Sequence, residues 1–310
     1  MKEYRYKYGD KPNIPPCVMA LGYFDGVHIG HRELLSRAKE RAARFSLPLG
    51  VFTFSSSDKI KPDATRIYED EEKAQLLSEL GVDFVIFADF ESVRTLTPET
   101  FVKEVLLSAF NTQCAVCGYN YKFGVRAAAD AEELRRLMNA EGGESIICER
   151  FDWGGCAVSA TRIRELLSKG NIKEANALLG APYRVKSEVK AGNKFGHSLG
   201  YPTVNTEMPS KLLRRGVYIS AVRAESRVYK ALTNVGTCPT FRERAEHLES
   251  YILDFDGNLY EKEITVYLLD FIRDEKRFST EKELIMQINI DKNTLLERNG
   301  DLIWEQAGLK

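Results

Sequence analysis

An apolar run, a glycine-rich turn and two histidines follow one another in Val18-Met19-Ala20-Leu21-Gly22-Tyr23-Phe24-Asp25-Gly26-Val27-His28-Ile29-Gly30-His31. The run from Val18 to Leu21 predicts a buried strand, and the segment from Arg32 to Ala38 predicts a helix. His28 and His31 therefore lie where a strand gives way to the first turn of a helix. Free backbone N–H groups and the positive end of the helix dipole favour phosphate at such a place. The stretch predicts an α/β fold with an anion site at this turn.

The composition points to two domains and to small-molecule partners. The chain has 310 residues, 44% of them hydrophobic and 29% charged, with a formal net charge of −1. Since domains usually span about 100–200 residues, we expect two. A near-neutral chain gives no electrostatic argument for nucleic acid or an anionic membrane as partner. No apolar run is long enough to span a bilayer, and the charged start Met1 to Lys7 lacks the apolar core of a signal peptide. We expect a cytoplasmic protein and leave a homo-oligomer open.

The cysteines are expected to be reduced thiols. Cys114-Ala115-Val116-Cys117 has the Cys-x-x-Cys spacing, but it lies in a strand-like segment, where residues i and i+3 face opposite sides. No second pair stands at metal-ligand spacing, so buried thiols in a reducing compartment are the expectation.

Residues 1–182 alternate strand-like and helix-like segments. Strands are predicted over 48–54, 82–87, 114–117 and 145–148, and helices over 69–80, 98–110, 129–138 and 161–167. Thr97 is a candidate N-cap and Pro98 a first helical residue. This alternation predicts a parallel sheet covered by helices, with ligands beyond the carboxyl ends of the strands.

Residues 183–310 have a different pattern, with short apolar or alternating runs between turns. Strands are predicted over 216–222, 229–233, 248–253 and 264–269, which favours an antiparallel β-barrel or sandwich. Asp256-Gly257 predicts a hairpin that pairs 251–255 with 259–267. Two helices are expected to follow, over 280–290 and 292–304.

Two further segments of the first half combine glycine or hydroxyl groups with polar side chains. Gly118-Tyr119-Asn120-Tyr121-Lys122-Phe123-Gly124 follows a strand, and it suits either a nucleotide contact or a packed turn. Val158-Ser159-Ala160-Thr161-Arg162-Ile163-Arg164 opens a helix. Its hydroxyl groups suit a helix cap, and with an arginine they also suit a phosphate.

The second half contains the run Gly192 to Asn205, with Gly192, Gly196 and Gly200 at four-residue spacing. Such a backbone can wrap phosphates or form a simple loop. Thr203 and Asn205 share one face of an extended segment, so their oxygens can approach a Mg²⁺ ion together.

These segments carry a resemblance to a known family. His28 to His31 resembles the His-x-Gly-His signature of nucleotidyltransferases, and Gly22 to His31 resembles the longer form found in bifunctional riboflavin kinase/FAD synthetases. Gly118 to Gly124 resembles that family's Gly-x-Asn/Asp-Phe-x-Phe-Gly loop. Val158 to Arg164 resembles its Ser-Ser-Thr-x-x-Arg motif, with Ala160 in place of the second serine.

The kinase motifs of the same family have counterparts in the second half. Gly200 to Asn205 resembles the Gly-Tyr-Pro-Thr-x-Asn run, and Asn234 to Phe241 resembles the Asn-x-Gly-x-x-Pro-Thr-Phe loop. Leu248 to Phe255 resembles the Val-Glu-x-His-x-x-Asp-Phe strand, with Tyr251 at the histidine position. Arg273 to Phe278 resembles an Arg-x-Glu-x-x-Phe segment at the flavin edge. The resemblance extends from about Val18 to Asp291.

The resemblance implies a nucleotidyltransferase-like α/β domain over residues 1–182 and a riboflavin kinase β-barrel domain with C-terminal helices over residues 183–310. The second would convert riboflavin and ATP to FMN, and the first would convert FMN and ATP to FAD and pyrophosphate, both with Mg²⁺. It implies catalytic roles for His28 and His31 on the ATP phosphates, for Arg164 on the transferring or leaving groups, and for Glu249 as base. It implies substrate contacts for Asp25, Asn120, Ser159, Thr161, Gly192, Gly196, Gly200, Asn234 and Arg273, and metal contacts for Thr203 and Asn205.

One departure keeps alternatives open. The family usually reads Thr-Phe-Asp-Pro-His-Pro after its second strand, whereas Thr53-Phe54 is followed here by Ser55-Ser56-Ser57-Asp58-Lys59. Without that histidine, a riboflavin kinase with a degenerate adenylyltransferase domain is one alternative. A non-catalytic flavin-binding regulator is another, although a binder has no need of a base such as Glu249.

Overall fold

The chain folds into two compact units, Met1–Ala160 and Thr161–Lys310. The computed structural model describes residues 1–55, 65–190, 201–208, 211–237 and 246–298. The boundary near Pro182 stays a prediction. The compact units divide earlier, because the helix ending at Leu179 packs on the barrel of the second unit, where Nδ2 of Asn176 donates to the Leu268 carbonyl at 2.9 Å.

Six parallel strands form the sheet of the first unit, in the order β1-β4-β3-β2-β5-β8. The strands of this unit are β1 Lys2–Tyr6, β2 Cys17–Leu21, β3 Leu49–Phe54, β4 Phe84–Ala88, β5 Thr112–Gly118, β6 Lys122–Phe123, β7 Ala129–Asp130, β8 Glu144–Cys148, β9 Asp152–Trp153 and β10 Cys156–Ala157. The predicted parallel sheet is confirmed. The strand order reverses between β2 and β5, and ligands of open parallel sheets bind at such a point.

Helices cover this sheet. They are α1 Ile29–Phe45, α2 Asp70–Glu79, the short α3 Phe90–Val93, α4 Pro98–Thr100, a π-helix Phe101–Ala109 that continues α4, and α5 Ala131–Ala140. Asp25–Val27 and Val125–Ala127 are 3₁₀ turns. The predicted N-cap is confirmed, since the Thr97 hydroxyl accepts from the Thr100 N–H at 3.2 Å. On one face of the sheet, apolar residues of the strands pack with those of the π-helix and α5 in one continuous core.

Six antiparallel strands close a barrel in the second unit, in the order β11-β12-β15-β14-β13-β16. They are β11 Tyr183–Lys190, β12 Thr203–Glu207, β13 Gly216–Ala224, β14 Arg227–Thr237, β15 Glu246–Ile252 and β16 Glu263–Arg273. The helices are α6 Ala160–Lys169, which begins at the division between the units, α7 Ile172–Leu179 and α8 Glu281–Glu297. Leu295 of α8 packs against barrel residues that include Ile219 and Leu269. Of the two predicted architectures, the barrel is confirmed.

Two local predictions are wrong. The hairpin at Asp256-Gly257 does not form, because β15 already pairs with β12 on one edge and β14 on the other. The chain therefore crosses to β16, which pairs with β11 and β13. The two expected C-terminal helices are one helix through Glu297, and the residues after 298 lie outside the described ranges.

Within the described ranges, no helix has the length and apolar character needed to cross a membrane.

Candidate active sites

The loop after β2 is held in a strained conformation by three contacts. Phe24 and Val27 have positive φ angles of 51° and 41°, which are costly for bulky side chains, and Gly26 has a φ of 79°. The Thr53 hydroxyl donates to the Tyr23 carbonyl at 2.9 Å. The Asp25 carboxylate accepts from the Ile67 N–H at 2.9 Å. Nε of Arg32 donates to the Val27 carbonyl at 3.2 Å. The first unit therefore fixes this loop before any ligand binds.

The two histidines form a stacked pair at the start of α1. Their ring centroids are 3.6 Å apart with an interplanar angle of 13°. His28 is the N-cap of α1, and its Nδ1 accepts from the His31 N–H at 3.3 Å. Because Nδ1 accepts, a neutral His28 carries its proton on Nε2, which can then donate to a ligand.

Burial keeps both imidazoles uncharged. It lowers the pKa of His28 to about 4, and it lowers the pKa of His31 well below the usual range, with the neighbouring His28 and Lys73 adding to the effect. Nδ1 of His31 is buried and has no hydrogen-bond partner among the described residues. The pair thus offers neutral donors to an anion rather than positive charge.

Asn120 lies at the same edge of the sheet, after β5. Strands β2 and β5 are neighbours with Leu21 opposite Cys117, so the loops that follow them meet at the switch point. Asn120 is exposed, in a turn closed by the Tyr121 N–H donating to the Gly118 carbonyl at 3.0 Å. At the end of the loop Gly124 has a φ of 75°, and a Cβ there would lie 2.8 Å from Pro98 Cγ. Only glycine fits that contact.

The segment before Ser159 runs past the start of α1. The Val158 N–H donates to the Phe151 carbonyl at 3.1 Å, and a Cβ on Gly30 would lie 3.6 Å from Phe151 Cβ. Thr161 and Arg164 belong to the second unit, in α6, where the Arg164 guanidinium donates to the Thr161 hydroxyl at 3.1 Å.

A cavity of about 270 Å³ lies on the barrel beside α8. Four candidates of the second half line it: Thr203, Asn234, Glu249 and Arg273. The other lining residues are Tyr201, Val217, Leu232, Tyr251, Glu275, Lys276, Phe278, Leu284, Ile288 and Asp291. The apolar members and the few polar groups make the composition typical of a small-molecule site.

Glu249 is the centre of the polar end of this cavity. Its Oε1 accepts from the Thr203 hydroxyl at 2.7 Å. In the barrel it stands opposite Asn205 of β12 on one side and Asn234 of β14 on the other. Asn205 shares a strand face with Thr203, although it does not line the cavity. Gly192, Gly196 and Gly200 lie outside the described residues, as do Ser56–Lys59 of the altered loop and the stretch Cys238–Phe241.

Arg273 reaches the cavity with its guanidinium already paired. Nε and Nη2 of Arg273 donate to the Asp291 carboxylate at 3.0 and 2.8 Å, and Gln287 donates to the same carboxylate at 3.0 Å. The Arg273 guanidinium lies 6.0 Å from the centre of the Phe278 ring. Asp291 is 2% exposed, and this pair joins the end of β16 to α8.

Sequence reasoning missed Asp291 and the buried Lys73 of α2. Both stand at apolar spacing in amphipathic helices: Lys73 with Leu77 and Leu80, and Asp291 with Leu284, Ile288 and Leu295. A charge at a core position was the signal that could have found them.

Comparisons with known proteins identify both halves. The family model described as FAD synthetase matches residues 10–162, and that described as riboflavin kinase matches residues 179–298. The bifunctional riboflavin kinase/FMN adenylyltransferase of Listeria monocytogenes is 31% identical over 89% of this chain and 90% of its own. The Bacillus subtilis protein of that name is 32% identical over 89% and 90%, and the Escherichia coli protein 31% over 91% and 92%.

A solved structure has the same fold over nearly the whole length. The crystal structure described as a macrolide-efflux protein from Streptococcus pneumoniae has a TM-score of 0.84 and 32% identity, covering 94% of this chain and 98% of its own. With both family matches in collinear order, the chain belongs to the bifunctional riboflavin kinase/FMN adenylyltransferases, enzymes that convert riboflavin to FMN and FMN to FAD.

Proposed function

We propose that riboflavin is phosphorylated in the barrel cavity with Glu249 as the base. The observation that carries this is the 2.7 Å hydrogen bond from the Thr203 hydroxyl, which orients the Glu249 carboxylate at the polar end of the cavity. The other Glu249 oxygen can accept the proton of the ribityl 5′-hydroxyl. The hydroxyl oxygen attacks the γ-phosphorus of ATP, and ADP leaves. Arg273, Phe278 and the apolar lining would then contact the flavin, and Asn234 the polar parts of the substrates.

The oxygen donors near Glu249 suit a Mg²⁺ ion. Thr203 offers a hydroxyl and Asn205 an amide oxygen, and both are hard ligands. The described residues contain no group of three or more His, Cys, Asp or Glu side chains that could hold a metal, so substrate phosphates and water would complete the coordination. A bound Mg²⁺ ion neutralises phosphate charge. The run containing Gly192, Gly196 and Gly200 completes this proposal as the backbone that wraps the ATP phosphates.

We propose that FMN is adenylylated at the carboxyl edge of the parallel sheet. A phosphate oxygen of FMN attacks the α-phosphorus of ATP, and pyrophosphate leaves without a covalent enzyme intermediate. Nε2–H of His28 and an N–H of His31 donate to the phosphate oxygens. Asn120, Ser159, Thr161 and Arg164 would contact the nucleotide, while Asp25 holds the histidine loop through Ile67.

The sequence-based location in the cytoplasm belongs to this proposal. Its support is that the five cysteines in the described ranges are free thiols, as expected in a reducing compartment. A homo-oligomer stays a prediction.

Two single variants of the full-length enzyme test the two assignments, each with the other activity as its control. Glu249→Gln should slow FMN formation from riboflavin by about a hundredfold or more and leave FAD formation from supplied FMN intact. His28→Ala should slow FAD formation from supplied FMN and leave FMN formation from riboflavin intact. Product chromatography of timed reactions with ATP and Mg²⁺ measures both. A Glu249→Gln enzyme that makes FMN at the wild-type rate, or a His28→Ala enzyme that makes FAD at that rate, contradicts the corresponding assignment.

A further inference from the structure

Lys73 is a charged side chain in the core of the first unit. It is 1% exposed, and its Nζ donates to the Phe54 carbonyl, at the end of β3, at 3.1 Å. The same Nζ lies 5.1 Å from the centre of the Tyr23 ring and 5.7 Å from that of the Phe87 ring. Over the described ranges no ion pair involves Lys73. Its ammonium is thus held by one carbonyl and two aromatic faces.

Burial of such a side chain costs free energy. A buried cation without a paired carboxylate loses its hydration, and cation–π contacts and one hydrogen bond return only part of that free energy. Burial accordingly lowers the pKa of Lys73. A methionine would fill the same position without that cost, so the charge calls for a functional explanation.

The surroundings of Lys73 are those of the candidate adenylyltransferase site. Helix α2 packs against the Asp25–Val27 turn, and Tyr23, whose ring faces Lys73, belongs to the loop that carries the histidines. Ionisable groups close enough to act on the Lys73 ammonium come from the loop, from α2 and from the segment before it: Asp25, Arg66, Glu69 and Asp70. The Lys73 charge also acts on the buried His31.

The loop needs positive charge from elsewhere. From Tyr23 to His31 the ionisable side chains are those of Tyr23, Asp25, His28 and His31, and none of them is a cation, while the expected ligand is a triphosphate. We propose that Lys73 is a positioning residue of the adenylyl-transfer site, which supports the Tyr23–His31 segment through the Tyr23 ring and supplies the buried positive charge that this segment lacks. This rests on the proposed function, which places the ATP phosphates at His28 and His31.

The proposal has a consequence that packing alone would not have. The Lys73 charge opposes protonation of His31, so that His31 stays neutral to lower pH than it otherwise would. Removing the charge raises the pKa of His31. A neutral side chain of the same length would keep the packing and lose this effect, whereas another cation would keep it.

Two substitutions separate charge from packing. Lys73→Met keeps the length of the side chain and removes its charge, whereas Lys73→Arg keeps the charge. Lys103→Met is the matched control, since it removes a lysine of the same unit that is 55% exposed and paired with Glu141. The assay is FAD formation from supplied FMN and ATP near neutral pH, with urea unfolding of each full-length preparation as the measure of folded enzyme.

We expect Lys73→Met to lower kcat/KM for FMN adenylylation by about tenfold or more. Lys73→Arg should keep most of the wild-type kcat/KM, and Lys103→Met should match the wild type. A folded Lys73→Met enzyme that keeps the wild-type kcat/KM overturns the proposal, as does a folded Lys73→Arg enzyme that loses as much as Lys73→Met. Should His28→Ala retain FAD formation, the proposed site itself fails, which is a distinct result.

Discussion

At the scale of the residue, the stacked pair of His28 and His31 shows how burial sets chemical character. Two imidazoles 3.6 Å apart cannot both be protonated without strong repulsion, and burial disfavours the charged form of each. Their neutral state also follows from their position, since the N-cap of α1 already places the positive end of a helix dipole there. The pair is suited to hydrogen-bond phosphate oxygens and unsuited to exchange protons near neutral pH.

The same burial makes stability depend on pH. The pKa of His28 is lowered from 6.5 to about 4, so between these values the unfolded chain binds a proton that the folded chain does not. Stability is therefore fully present above pH 6.5 and falls as the pH drops toward 4, by about 3 kcal/mol from this group. His28→Asn keeps an N-cap side chain and removes the titration. Urea unfolding at pH 7, 6, 5 and 4 should show that the free energy of unfolding falls less with decreasing pH in the variant than in the wild type. Identical declines would contradict the low pKa of His28.

The role of a residue could be predicted from the sequence wherever it belongs to a local motif. The histidines, Glu249 and Thr203 are found from short runs whose spacing has a direct meaning on a strand or a helix start. Lys73 and Asp291 could not be assigned a role in this way, because their partners lie on distant segments: Phe54 for the first and Arg273 for the second. Their roles depend on contacts between distant segments, which become visible only in the folded structure.

At the scale of the element, the ion pair between Arg273 and Asp291 fixes α8 to the barrel. Their side chains are 15% and 3% exposed, so the Arg273 charge would stay buried without its partner. The cavity wall built by Leu284, Ile288 and Phe278 depends on where α8 lies. The ion pair is thus part of the flavin site as well as of the fold.

Asp291→Asn should lower both the stability of the fold and the affinity of the cavity for riboflavin. Breaking a buried pair by removing one partner costs about 3 kcal/mol or more, so the free energy of unfolding should fall by that order. Riboflavin KM should rise more than kcat falls, because Glu249 is untouched. Denaturation curves and kinase kinetics measure these effects. Asp274→Asn is the control, since its exposed pair with Arg214 should contribute little. Equal losses in the two variants would speak against a role for Asp291 in the cavity.

The elements themselves were largely predictable, and the exceptions have physical causes. Periodicity and turn residues placed most strands and helices, while pairing partners depend on topology. Asp256-Gly257 is a strong local turn signal, yet both edges of β15 are occupied by β12 and β14. The local sequence around a turn does not show which other strands compete for the same edge.

At the scale of the whole molecule, two activities reside in one chain, and each candidate site has residues of its own. The Glu249→Gln and His28→Ala variants should therefore complement each other. An equimolar mixture should convert riboflavin to FAD, because FMN released by one variant is a substrate for the other. Chromatography of the mixture against each variant alone measures this. A mixture that accumulates FMN without FAD would indicate that FMN must pass within a single chain.

The closed order of the barrel has a consequence for synthesis on the ribosome. Strand β11, the first of the barrel, takes β16, the last, as a neighbour, so the barrel cannot close until Arg273 has been made. The parallel sheet, in contrast, has all six of its strands by Cys148. The parallel sheet can therefore form while the chain is still being translated, whereas the barrel must wait until Arg273 has left the ribosome.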